Sequence, residues 1–82
     1  MMTVKSQVIV QPYVRGAKGK LTPAPFIPVR DAEAGRLRAE RMMEGGRVLG
    51  VDVVQQEADP EVGDFGEPVY VARLGEVPEL VD

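Results

Sequence analysis

The apolar positions of this chain change period along its length, and the changes mark out its elements. From Val4 to Val14, VKSQVIVQPYV, β-branched residues recur at a spacing of two, which predicts a strand. Val4, Val8, Val10 and Val14 then share one face, and Ile9 and Tyr13 lie on the other beside Gln7 and Gln11. Pro12 has no N–H for a ladder, so the strand is expected to lie at an edge there or to end nearby. RGAKGK, residues 15–20, reads as a turn with two glycines and three positive charges. LTPAPFIPV, residues 21–29, holds Pro23, Pro25 and Pro28, and predicts an edge strand or a polyproline-like segment with Leu21, Phe26, Ile27 and Val29 available for burial.

The period then changes to that of a helix over about 32–44, AEAGRLRAERMME. Asp31 is placed to cap its first turn, Glu33 suits the positive end of its dipole, and Gly45 and Gly46 end it, one of them in a left-handed conformation. At about 100° per residue Ala32, Gly35, Ala39, Met42 and Met43 form one apolar stripe, whose small residues allow close approach to a sheet. Leu37 falls among the charges on the opposite side. RVLGVDVVQQEA, residues 47–58, predicts the next strand, with Leu49, Val51 and Val53 on one face and Val48 and Val54 on the other with Gly50 and Asp52. PVYVARL, residues 68–74, predicts the last, with Val69 and Val71 opposed by Tyr70, Ala72 and Leu74. Between these two strands EADPEVGDFGEPV, residues 57–69, carries five carboxylates, two prolines and two glycines. Asp59–Pro60 starts a turn there, and Gly63 and Gly66 supply positive φ. The tail from residue 76 to 82 is expected to be irregular.

These elements make one small α+β domain over residues 1–82, of order β-(β)-α-β-β. Its antiparallel sheet has three or four strands, with one helix on one face. The first and third strands pair across the helix. A right-handed parallel crossover between them is the second-ranked arrangement.

Composition narrows the chemistry. The 82 residues contain no cysteine and no histidine, which removes disulfides, Cys/His zinc sites, the commonest general base and the strongest nucleophile. Ser6 is the only serine, and its neighbour Lys5 points to the other side of a strand. The acidic segment fails as a calcium loop. Counting from Asp59, the glycine required at the sixth position is Asp64 and the glutamate required at the twelfth is Tyr70. GAKGK lacks the spacing of a phosphate loop. No enzyme activity, metal or cofactor is therefore expected. No window approaches a membrane span and no signal-peptide pattern opens the chain, so a cytoplasmic protein is expected.

Two kinds of partner remain. A single helix leaves the other sheet face open, to show some of Ile9, Tyr13, Val48, Val54 and Tyr70; the alternative is that the proline-rich segment folds over it. With the exposed Leu37 they are the candidate interface for a homodimer, back to back or edge to edge, or for another protein. Arg15, Lys18, Lys20 and Arg30 are the candidate contacts for nucleic acid, which the net charge of -3 disfavours.

The sequence DPEVGDF, 59–65, with ARLGEVP, 72–78, resembles a set of small bacterial proteins of unknown function that share a D-P-E-x-G-[DE]-[FY] turn and a closing A-R-x-G-E-V-P. The resemblance covers Val8 to Pro78 and supplies no activity or ligand. It implies that the acidic turn and the closing segment are parts of one design, with Arg73 expected to reach a carboxylate of the 57–67 loop.

Overall fold

The computed structural model describes residues 5–59, 64–65 and 67–79. The valine-rich opening forms β1 (Lys5–Arg15). One turn of 3-10 helix, Ala17–Gly19, leads into two short strands, β2 (Leu21–Pro23) and β3 (Ile27–Val29). The helix α1 (Ala32–Gly45) comes next, then β4 (Gly50–Asp59), β5 (Asp64–Phe65) and β6 (Val69–Gly75). All pairings are antiparallel. β2 and β3 lie end to end along one side of β1, β4 lies along its other side, and β5 and β6 pair with the far side of β4. The one-helix α+β architecture and the β-(β)-α-β-β order of its main elements are those the pattern predicts, but the sheet has six strands where three or four are expected, because the proline segment pairs in two pieces and the acidic segment adds β5. β1 and β4 meet antiparallel, from Lys5↔Ala58 to Tyr13↔Gly50, so the parallel crossover between them is not formed.

The proline segment pairs as an edge, but in two pieces, and the break between them explains how β1 runs through Pro12. The Pro12 carbonyl accepts from the Ala24 N–H at 2.9 Å, on the β2–β3 side. A strand residue turns both backbone groups toward the same neighbour. The missing N–H of Pro12 therefore faces the interruption at residues 24–26, where no ladder is formed. Of the two expectations for Pro12 the local edge is the one met, and the strand continues past it to Arg15.

The helix begins and ends where its residues dictate. An Asp31 Oδ1 accepts from the Ala34 N–H at 2.8 Å, and this bond holds the Asp31 carboxyl below its ordinary pKa. Gly46 closes the helix with φ 73°, in the left-handed region. Gly35 and Ala39 are buried against the sheet. The fully buried apolar core among the described residues is Val8, Val10, Ala39, Val51 and Val53. Ile27, Val29, Met42, Met43, Val48, Val71, Ala72 and Leu74 pack around it. Phe26 does not join it and is 55% exposed, and Leu37 stands out from the helix at 52%.

The last strand departs from simple alternation. Val53 pairs with Ala72 but Val54 pairs with Tyr70, so Val71 is an extra residue without a partner of its own. This bulge reverses the parity of β6. Tyr70, Ala72 and Leu74, expected together, are divided: Ala72 and Leu74 join Val71 on the helix side, and Tyr70 shares the opposite face with Arg73. Val48 also moves. It precedes β4 and packs against the core instead of standing on the open face with Val54. β4 and β5 pair at Asp59↔Asp64, so a short strand that the pattern does not predict lies within the acidic segment. The expected conformations of Pro60, Gly63 and Gly66, and the face of Val4, lie outside the described residues. Residues 76–79 carry no helix or strand, as expected.

The closeness of helix and sheet yields a pair of opposite outcomes. A Cβ on Gly35 would stand 2.7 Å from Val53 Cγ1, whereas one on Gly45 meets nothing within 4 Å. Gly35→Leu is expected to lower stability by about 1–3 kcal/mol through overpacking. Gly45→Ala is expected to raise it by about 0.5–1 kcal/mol through helix propensity. Urea unfolding of the two variants measures both.

Candidate functional site: the open face of the sheet

The face turned away from α1 is built from alternate residues of three strands. β1 contributes Gln7, Ile9, Gln11 and Tyr13; β4 contributes Asp52, Val54 and Gln56; β6, by virtue of its bulge, contributes Tyr70 and Arg73. Across the strands Gln11, Asp52 and Arg73 fall in one row and Ile9, Val54 and Tyr70 in the next. The face therefore divides into a polar cluster and an apolar hollow.

Asp52 anchors the cluster. It is 0% exposed in spite of its charge. Arg73 donates to it twice, from Nε to Oδ1 at 2.7 Å and from Nη2 to Oδ2 at 3.2 Å, and the Tyr13 hydroxyl donates to Oδ2 at 3.0 Å. The Arg73 guanidinium also lies over the Tyr70 ring, 4.9 Å from its centroid, and donates from Nη2 to the Pro78 carbonyl. The segment after β6 is thus fastened to the face through Arg73. It is held again where the Glu76 N–H donates to the Leu49 carbonyl at 2.9 Å. A buried carboxylate is tolerable only when paired and hydrogen-bonded, and among the described residues no buried side-chain polar atom lacks a partner. Burial, then the hydrogen bond to Asp52 and its negative charge, push the Tyr13 phenol up to about 12. The bond to Asp52 likewise raises Arg73 above its ordinary value. The cluster is a clasp: its one carboxylate is closed to solvent and already occupied.

The hollow is lined by Ile9, Val54 and Phe26, with Gln7 and Gln56 at its sides. Phe26, from the proline segment, forms one wall and does not lie across the face. Tyr70, at 37% exposure, borders the same area.

Of the candidate interface residues, the structure brings Ile9, Tyr13, Val54 and Tyr70 together here. Leu37 lies on the far side of the molecule, on α1, and Val48 packs against the core. The basic residues do not form one patch. Arg15, Lys18 and Lys20 sit around the β1–β2 turn, where Arg15 donates to the Gly19 carbonyl at 3.1 Å and lies 3.9 Å from Glu76. Arg30 comes directly after β3, level with Gln7 on β1, about 25 Å from that turn at the usual strand rise. There it pairs with Asp31 at 3.2 Å. Arg73 meets Asp52 of β4, and the loop to which the resemblance assigned it, 57–67, lies in large part outside the described residues. The signal for this pair was an aspartate inside a valine-rich strand and an arginine in the next strand of the same hairpin, concealed by the bulge that sets their register. Among the described residues no three acidic side chains converge to hold a metal ion, and no helix is long and apolar enough to cross a membrane.

The clasp has a spectroscopic signature. Tyr13 and Tyr70 are the two tyrosines. In the folded protein the Tyr13 phenol is expected to titrate near pH 12, against about 10 for a free phenol. Because the folded state keeps this proton longer than the unfolded state, its stabilising contribution is complete below pH 10 and is lost as pH rises toward 12. Absorbance titration of Asp52→Asn should show the raised transition moving down toward the ordinary value.

Comparison of the chain with protein-family models, with curated proteins and with solved structures finds no match, and the reading of its function rests on its own surfaces.

Proposed function

We propose that the chain is a noncatalytic binding and assembly module that works by associating with itself. One observation carries this reading: among the described residues a single helix covers a single face of the sheet, and the buried apolar core between them is four valines and an alanine. A domain of this size, without disulfide or metal, gains stability by burying surface against a partner. The surface for doing so is present. Phe26, Leu37, Val69 and Tyr70 are large apolar side chains left exposed at 55%, 52%, 60% and 37%. A stable interface takes about 800 Å² from each partner, roughly an eighth of the 6124 Å² this chain exposes.

The absence of histidine and cysteine supports the noncatalytic part of the reading. So does the closure of Asp52 by Arg73 and Tyr13.

Size-exclusion chromatography with light scattering, run from low to high micromolar protein, tests it. The expected result is a mass that rises from 8.9 kDa toward twice that value with concentration. A monomer throughout the range overturns the proposal.

A further inference from the structure

The two edges of the sheet are unlike. The β2–β3 edge carries Pro23 and Pro28 within its strands and Pro25 between them. Prolines are a recognised means of closing an edge to further strands. The β6 edge, VYVARLG, has no proline and no lysine. Beside it runs a groove between strand and helix. Ala32, Glu33, Arg36, Leu37, Glu40 and Val71 line one part of it, and Arg36 and Glu40 with Ala72 and Leu74 line the next. Arg36 reaches across to the Val71 carbonyl at 3.5 Å.

The bulge restricts what can pair there. Going along β6, Leu74 faces the helix side, Arg73 the open side and Ala72 the helix side; then Val71 faces the helix side again, and Tyr70 the open side. A regular strand alternates without interruption. If its faces match β6 on one side of Val71, they are reversed on the other. A strand with the same irregularity, run antiparallel about a twofold axis between Val71 and Ala72, matches throughout. Val71 then meets Ala72 of a second copy, Tyr70 meets Arg73, and Val69 meets Leu74, each pair on one face. Pro68 and Gly75 fall at the ends of this ladder, clear of β5.

The helix supplies a second match in the same frame. Arg36 and Glu40 both border Val71, Ala72 and Leu74, so the point midway between them stands beside the same axis. A twofold rotation there sets Arg36 opposite Glu40 of the second copy, and Glu40 opposite its Arg36. α1 lies over β4, so the two helices lie on one side of the joined sheet about three strand spacings apart, about 15 Å, a gap that an arginine and a glutamate reaching from facing sides span together. A cation also faces an aromatic ring across the strands, where each Arg73 meets a second Tyr70.

From these two independent matches we infer that the partner at the β6 edge is a second copy of this chain, joined antiparallel into one continuous sheet with the two α1 helices side by side. The inference rests on the self-association proposed above and names its surface. The open face with its apolar hollow is then doubled in extent and left free.

Charge reversal tests the arrangement, read as the dimer dissociation constant by sedimentation. Arg36→Glu and Glu40→Arg each turn two attractive contacts into two repulsive ones. Each is expected to weaken association about tenfold or more, and the double reversal to return it to within about threefold of the parent. Val69→Lys, on the edge, is expected to weaken it as well. Phe26→Lys, on the open face, is expected to leave it unchanged. A monomeric parent protein overturns both this inference and the self-association on which it rests. A dimer that ignores the reversals, or that Phe26→Lys dissociates, overturns the edge arrangement alone.

Discussion

The separation between α1 and the sheet governs both the size of the core and the fate of the larger apolar side chains. Gly35 brings the helix backbone so near the sheet that a single added carbon would stand 2.7 Å from Val53 Cγ1. With Ala39 as the neighbouring buried residue, the interior between helix and sheet has room for valines and little more. The larger side chains are displaced to its margins, where Met42, Met43, Ile27 and Leu74 pack around the centre. Such a seat is economical for a chain of 82 residues, but it buries little apolar surface, and hydrophobic stabilisation scales with the area buried.

A second constraint is the bulge at Val71. One extra residue turns Ala72 and Leu74 inward and places Tyr70 and Arg73 on the open face. Only in that register can Arg73 meet Asp52 and hold the Pro78 carbonyl. The same residue makes the β6 edge irregular. In the arrangement we propose, the bulge therefore links the clasp on one face to the recognition of a neighbouring strand, and both depend on where a single residue is inserted. Arg73 thus ties the closing segment to Asp52, in the middle of β4.

Much of this was legible because it depends on local chemistry. An aspartate before an alanine-rich stretch caps a helix, two glycines end it, and a stripe of small residues marks its inner side. Alternating valines in β1 and β4 specify which face is buried. What remained hidden is non-local. Pro12 reads as the end of a strand until the gap at residues 24–26 is seen to face it. Val48 shares the parity of Val54, yet it lies before the first residue of β4, where alternation does not hold. The faces of β6 could be read only up to the bulge: Tyr70 stands on the open face as expected, but Ala72 and Leu74 are turned inward, since a bulge leaves no mark in a run of apolar and aromatic residues. Asp52 was read as one polar residue on an open face, because its partners lie 21 and 39 positions away.

Hydrogen exchange of backbone amides, followed residue by residue at low and at high protein concentration, addresses the central claim most directly. A chain whose thin interior is completed by a copy of itself along the unblocked edge should show β6 amides that exchange more slowly as concentration rises, while those of the proline-bearing β2 and β3 exchange at the same rate throughout. Protection of β6 that does not change with concentration, or a gain confined to β2 and β3, contradicts it.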